Sequence, residues 1–156
     1  MQKLKCEQGQ TLVEFALILP IMLLLVIGIF DFGSAFNSKN DLNFLANTAA
    51  RFAEVNSCTP CTSAGYTGSN AIRDYVKSTA DTSQLSSSLN ITFCLPNGTS
   101  GVGDPLQVAV TAPFNWLGAN LPGLPSGSTT LTSTVTVRIQ QSPAAGTALY
   151  NASPSC

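Results

Sequence analysis

Residues 9–36 read GQTLVEFALILPIMLLLVIGIFDFGSAF, and this stretch decides the fold. From residue 12 to residue 36 its only charged residues are Glu14 and Asp31. A bilayer core of about 30 Å is crossed by about 20 mainly apolar residues in a helix, so the stretch is long enough to span a membrane. It is too long and too uniformly apolar for the buried helix of a small soluble domain. We therefore expect a transmembrane helix over residues 10–36.

Glu14 is the unusual residue of this stretch. A carboxylate in the first turn of a membrane helix costs about 2 to 3 kcal/mol or more, so it is by default a functional residue that needs a partner. In the alternative interpretation Glu14 lies at the level of the lipid headgroups and is simply hydrated. The neighbours of Glu14 favour a function, because Gly9 stands five residues upstream and Phe15 follows directly.

This arrangement of a glycine, four residues, a glutamate and an aromatic residue resembles the processing site of type IV pilin-like proteins. In those proteins a membrane-embedded aspartyl peptidase cuts after the glycine. The segment GQTLVEFALILP at 9–20, followed by GIFDFG at 28–33, resembles the TadE family of tight-adherence (Tad/Flp) pilus proteins. Phe15 stands where small Flp pilins usually have Tyr, which favours the TadE-like branch. The resemblance covers about residues 9–55.

The resemblance implies a processing site at Gly9 and Gln10 and a role in subunit registry for Glu14 and Phe15. After the cut, the new α-amine of Gln10 is a cation at the membrane face, one helical turn from Glu14. In a filament, the amine of one subunit can meet the carboxylate of a neighbour, which neutralises a costly charge and fixes the axial offset between subunits. The implied partners are the membrane, a prepilin peptidase, other pilin subunits and the pilus assembly machinery.

The charges at the N-terminus predict the orientation of the helix. Residues 1–9 form a short polar leader with Lys3 and Lys5, and the next basic residue is Lys39. The positive-inside rule then places the leader in the cytoplasm and residues 37–156 outside it. Two rival interpretations are a secretory signal peptide cut near residues 33–35 and an uncleaved signal anchor. The length of the apolar stretch argues against the first, and only the spacing from Gly9 to Phe15 argues against the second.

The composition narrows the function. The net charge is −1 without a basic cluster, so we expect no binding to nucleic acid. The chain has no histidine, which removes every mechanism that needs imidazole as a base or metal ligand. Its scattered acidic residues form no paired constellation. We therefore expect no enzyme activity, no cofactor and no metal site.

The helical period continues beyond the apolar stretch. Apolar residues recur at spacings of three, four and seven, which is typical of an amphipathic helix. They are Phe36, Leu42, Leu45, Ala46, Ala49, Ala50 and Ala53. A helix from Gln10 to about Val55 would form a spine whose outer half packs against a small head. We expect the segment Asn56 to Asn70 to be a loop and a second, short helix to cover Ala71 to Ala80, capped by Ser69 or Asn70.

Alternating residues predict the strands of the head. Leu89 to Cys94 and Leu106 to Ala112 alternate between apolar and polar residues across a turn-rich connection, which indicates a hairpin. The clearest strand is Thr129 to Gln141, with Leu131, Val135, Val137 and Ile139 on one face. The predicted fold is therefore α+β and pilin-like: a long N-terminal transmembrane and spine helix, a short helix, and an antiparallel sheet of three to four strands. We expect a weakly structured tail from Ser142 to Cys156.

Four cysteines follow the apolar stretch, namely Cys58, Cys61, Cys94 and Cys156. An even number in an extracytoplasmic domain predicts two disulfides with three possible connectivities. We slightly favour Cys58 with Cys94 and Cys61 with Cys156, which would attach the loop and the tail to the sheet. A zinc site or a redox motif at Cys58 to Cys61 are the alternatives.

The sequence thus predicts a structural protein, a minor pilin or pseudopilin that is incorporated into a Tad/Flp pilus or primes it, with a part in adhesion and surface attachment. Two alternatives come from other classes of protein. One is a membrane-anchored extracytoplasmic binding module that does not polymerise. The other is a membrane-tethered thiol oxidoreductase.

Overall fold

The computed structural model describes residues 4–80, 87–116, 127–142 and 148–156, with side chains described from residue 10 onward. The elements are the helices α1 (Leu4–Glu54), α2 (Thr59–Ser63) and α3 (Ala71–Ser78) and the strands β1 (Asn90–Cys94), β2 (Pro105–Asn115), β3 (Ser128–Arg138) and β4 (Ala152–Ser153). The chain forms two compact units. One comprises Met1–Phe36 and Asn115–Gly127, and the other comprises Asn37–Phe114 and Ser128–Cys156.

Helix α1 has 51 residues and begins at Leu4, six residues before the predicted start at Gln10. Leu, Met and Ala favour helix, and they supply much of its length. Pro20 lies inside the helix, where it lacks the N–H group that would bond to the carbonyl of residue 16. A helix that accommodates an internal proline needs other groups or local adjustment to satisfy that carbonyl, which neighbouring helices supply in membranes.

The sheet confirms the predicted α+β class and has four strands in the order β3, β2, β1, β4. Strands β1 and β2 form the predicted antiparallel hairpin, in which Ile91 pairs with Val110 and Phe93 with Val108. Strand β4 pairs with β1 in parallel, so the sheet is mixed and not purely antiparallel. The prediction of a weakly structured tail was wrong at this point, because the segment after residue 148 returns to the edge of β1.

The inner faces of these elements form one core. The buried apolar residues of α1 are Leu42, Leu45, Ala46, Ala49, Ala50 and Ala53, all of which belong to the predicted stripe. Facing them are the alternate residues of β1 and β2, such as Ile91, Phe93, Leu106, Val108 and Val110, together with Ile72 and Val76 of α3. Small alanine side chains allow the helix backbone to approach the large side chains of the sheet closely.

Phe36 was predicted to belong to the apolar stripe that packs against the head. This prediction was wrong, because the Phe36 side chain is 60% exposed. Phe36 belongs to the unit that contains the apolar stretch. The four strands belong to the other unit, except for Asn115 at the end of β2. The buried apolar residues of α1 begin at Leu42. Helical spacing alone does not show where along the helix the covering side chains begin.

Several polar contacts hold the segments around the core in place. The backbone N–H groups of Gln140 and Gln141 donate to the carbonyl of Glu54 at the end of α1, at 2.9 and 3.3 Å. Ser133 is buried on the inner face of β3 and donates from Oγ to Oδ1 of Asn43 at 2.6 Å. Each contact joins α1 to residues more than 80 positions later, so none of them could be read from local sequence patterns.

Asn56 organises the return of the tail. Its backbone is left-handed, with φ of 43°, a conformation that Asn tolerates better than most residues. Its Oδ1 accepts a hydrogen bond from the N–H of Leu149 at 3.0 Å, and the carbonyl of Leu149 accepts one from the N–H of Ile72 at 3.3 Å. The tail is therefore bonded to both the end of α1 and the start of α3.

Tyr150 follows directly and packs its ring against that of Phe93, with 5.2 Å between the ring centroids. Its hydroxyl group is buried and makes no hydrogen bond to the residues that the structure describes. Leaving such a group without a partner costs about 1 to 3 kcal/mol. Burial also raises the pKa of the Tyr150 phenol above its usual value near 10.

Tyr150→Phe should raise the free energy of unfolding by about 1 kcal/mol at neutral pH, because it removes the buried hydroxyl and keeps the ring. Since the folded state holds the phenol proton more tightly than the unfolded state, the contribution of Tyr150 to stability is fully present below about pH 10 and is lost as the pH rises through the raised pKa of its phenol. The variant should lose less stability over that alkaline range. Chemical denaturation of the full-length protein in a mild detergent measures both effects, and a variant that is less stable than wild type at pH 7 would contradict the first.

Candidate processing and assembly site

The residues of the predicted processing site lie on one continuous stretch of α1. The helix runs through Gly9, Gln10, Glu14 and Phe15 without a break. Residues Gln10 and Glu14 are one turn apart, and Nε2 of Gln10 donates to Oε1 of Glu14 at 3.3 Å. The structure therefore brings the predicted new N-terminal residue and the predicted registry carboxylate together on one face of the helix, within the same chain.

Glu14 and Phe15 are both exposed, and so is the rest of the segment from residue 10 to residue 26. The large apolar side chains in it are 39 to 70% exposed. Burying one such side chain is worth about 1.5 to 3 kcal/mol, so leaving this surface in water would be very unfavourable. Helix α1 is long and apolar enough to cross a membrane, and none of its most apolar window is buried within the chain.

Gly9 lowers the local stability of the helix at the predicted cleavage site. A glycine inside a helix is less favourable than alanine by about 0.8 to 1 kcal/mol, because it has more conformations to lose. An enzyme that cuts the peptide bond between Gly9 and Gln10 would have to reach a backbone that the helix otherwise encloses. The glycine lowers the cost of unwinding one turn there, and it has no side chain of its own to stand beside the bond.

Asp31 is the second acid of the apolar stretch, and its environment differs from that of Glu14. Its side chain is only 7% exposed, whereas Glu14 is open to its surroundings. No role for Asp31 was predicted from the sequence. The signal that marks it is a charge between Phe30 and Phe32 in an otherwise apolar segment.

The cysteines form two disulfides, and the pairing differs from the one favoured on the sequence. Cys58 pairs with Cys61, and Cys94 pairs with Cys156, with Cα atoms 5.2 and 5.3 Å apart. The prediction was wrong for Cys58 because the expected loop contains helix α2. Cys58 is the N-cap of α2, and its Sγ accepts a hydrogen bond from the N–H of Cys61 at 3.1 Å.

The second disulfide depends on the parallel strand β4, which was not predicted from the sequence. Cys94 is the last residue of β1 and pairs in register with Ser153 of β4. The N–H of Leu95 also donates to the carbonyl of Ser153 at 2.9 Å. Cys156 follows Ser153 by three residues, so this pairing brings Cys156 beside Cys94.

Cys58 and Cys61 begin a helix, as redox-active pairs do, but their burial argues against thiol exchange. They are only 3% and 1% exposed, and an attacking thiolate must reach a sulfur atom. Within the described ranges, no group of three or more His, Cys, Asp or Glu residues is placed to hold a metal ion. The short disulfide is better explained as part of the core, where it closes the turn into α2.

A single exposed apolar helix that continues into a disulfide-bonded α+β unit fits a single-pass membrane protein. Residues 9–51 match the family model described as TadE-like protein. The resemblance found in the sequence is thereby confirmed over this segment. No curated protein and no solved structure gives a significant match.

The two disulfides should differ in accessibility and in effect. Cys156 is exposed, so mild reductant should open Cys94–Cys156 first and leave the buried Cys58–Cys61 bridge closed. Opening the longer loop should lower the free energy of unfolding by about 4 kcal/mol in the chain-entropy model, against about 2 kcal/mol for a loop of about four residues. Alkylation with mass spectrometry gives the order of reduction, and the pairs Cys94→Ala/Cys156→Ala and Cys58→Ala/Cys61→Ala give the matched stabilities. Earlier reduction of Cys58–Cys61 would contradict the assignment of its role.

Proposed function

We propose that this chain is a minor pilin or pseudopilin of a Tad/Flp-type pilus. In this proposal it is made as a membrane precursor with a cytoplasmic leader over residues 1–9, a membrane segment over 10–36 and an extracytoplasmic head over 37–156. A prepilin peptidase cuts after Gly9, and the mature subunit is incorporated into the filament or primes its assembly. The pilus at the cell surface then serves adhesion and surface attachment.

One observation carries the proposal: the spacing from Gly9 to Glu14 stands at the head of an exposed apolar helix, inside the segment that matches the TadE-like model. A simple membrane anchor needs the apolar helix but neither the glycine nor the acid. A carboxylate at this position is costly unless it meets a cation, and cleavage after Gly9 produces one.

The hydrogen bond from Gln10 to Glu14 supports a specific order of events. Before cleavage, the Gln10 side chain donates a hydrogen bond to Glu14 within the same chain. After cleavage, the Gln10 α-amine adds a positive charge at the same end of the helix. When the helix of a neighbouring subunit is displaced along the filament axis, its Gln10 α-amine can meet Glu14. Only a processed subunit has this amine, so only a processed subunit can form the charge-assisted contact.

Gly9→Leu should leave the precursor uncut, because a bulky side chain fills the space beside the bond and strengthens the helix there. The mature wild-type protein should begin at Gln10, as measured by N-terminal sequencing of the membrane fraction. Gly28→Leu is the matched control, since it removes a glycine from the same helix at a position with nothing within 4 Å of the added Cβ atom. That variant should be cut normally.

An intact Met1 in the presence of the peptidase would instead support the membrane-anchored binding module that does not polymerise. A mature start near residue 36 would support secretion by a signal peptide. Either result would overturn the proposal.

Glu14→Gln should be inserted and cut normally, since the helix becomes less polar, but its incorporation into filaments should fall by about tenfold or more. A charge-assisted hydrogen bond is worth about 1.5 to 3 kcal/mol, and each 1.4 kcal/mol is tenfold in an equilibrium. Quantitative immunoblots of sheared pili against the membrane fraction measure the ratio. Glu7→Gln is the control, because it makes the same change in the leader and yields an identical mature subunit. Full incorporation of Glu14→Gln would contradict the registry role and support the alternative in which Glu14 is hydrated at the level of the lipid headgroups.

A further inference from the structure

A cleft beside β4 combines one cationic side chain with neutral polar groups. It has a volume of about 380 Å³ and is lined by Arg73 of α3, Thr92 and Phe93 of β1, and residues 151–154 around β4. Phe93 is buried, so it contributes mainly backbone to the wall. None of the lining residues is acidic, and Arg73 is the charged member.

Arg73 has most of its hydrogen-bonding capacity unused. A guanidinium group carries five N–H donors. Nη1 donates to Oδ1 of Asn70 at 3.5 Å, which is long for a hydrogen bond. Nε is buried and has no acceptor among the residues that the structure describes. The side chain as a whole is partly buried, and it lines the cleft.

The other wall of the cleft is a sheet edge. The carbonyl of Ser153 accepts a hydrogen bond from Leu95 and therefore points towards β1. Because neighbouring residues of a strand point their backbone groups to opposite sides, the N–H and C=O of Ala152 point away from β1. An edge of this kind can accept an extended peptide by backbone pairing, with selectivity supplied by a pocket for a side chain.

We propose that this cleft binds an extended segment of a partner protein and takes the carboxylate of an Asp or Glu side chain onto Arg73. A guanidinium holds a carboxylate with two parallel hydrogen bonds. One cation balances the single charge of a carboxylate, whereas a phosphate dianion would keep excess charge. The described residues with a left-handed backbone are Asn56 and Gly65, Gly68, Gly98 and Gly103, and none lines the cleft. It therefore lacks the backbone nest that captures a chain-terminal carboxylate.

The binding does not depend on the proposed pilus role. A head that is anchored but never polymerises would present the same cleft. The partner is identified by its chemistry alone: an acidic side chain on a strand that lies beside β4.

The test follows the side-chain Nε–H signals of the arginines by NMR in the full-length protein in detergent micelles. The chain has three arginines, Arg51, Arg73 and Arg138, so the signals are few. The probe is a blocked pentapeptide of sequence TVEVT, compared with its TVQVT counterpart. We expect the Arg73 signal to shift in a saturable way with TVEVT. The affinity for TVQVT should be lower by about tenfold or more.

Arg73→Gln should reduce TVEVT binding by a similar factor, and Lys77→Gln should not. Lys77 lies one turn along α3, so this control removes the same charge outside the cleft. Circular dichroism of both variants checks that the head is folded. If Arg73→Gln does not fold, the comparison of the two peptides on the wild-type protein still decides the question. Equal binding of both peptides, equal shifts of all three arginines, or tighter binding of inorganic phosphate or of TVQVT with a free C-terminal carboxylate would each overturn the proposal.

Discussion

The exposed apolar surface of α1 is the constraint on which the rest of the structure depends. Its leucine, isoleucine and phenylalanine side chains are not covered within the chain, so this part of the helix needs lipid or other helices around it. A helix is suited to that environment because its backbone groups are bonded internally. Further along the same helix the inward residues become leucine and then alanine, and there the sheet supplies the cover. One helix therefore meets two different apolar surroundings, and its side chains change accordingly.

The head is small, and its core is completed by segments that are distant in sequence. The end of α1 accepts hydrogen bonds from Gln140 and Gln141, and Asn56 bonds to Leu149. The Cys94–Cys156 bridge then fixes the short parallel strand to β1. A domain of this size buries a limited fraction of its surface, so covalent and polar ties of this kind contribute a large part of its stability.

The sequence predicted what is periodic and missed what depends on distant contacts. The apolar stretch, the alanine-rich stripe, the hairpin and helix α3 follow from local spacing, and the structure has them. Strand β4 has only two residues, too few for an alternating pattern to show. The disulfide pairing was missed for the same reason, since Cys94 meets Cys156 through that strand. The Gly9 to Glu14 spacing can be recognised from the order of residues alone, and its role in processing and registry stays a prediction. The structure adds the contact between Gln10 and Glu14.

The arrangement of the cysteines along the chain has a consequence for how the head is made. Cys58 and Cys61 are three positions apart, whereas Cys94 and Cys156 are separated by 62. If residues 37–156 cross a membrane in chain order, as the proposed orientation implies, the first pair arrives together and can close before Cys94 appears. Cys94 then waits for a partner while the hairpin of β1 and β2 forms from neighbouring residues. Once the local pair has closed, only one connectivity is left for the remaining two thiols, so the order of the cysteines along the chain disfavours scrambled bridges.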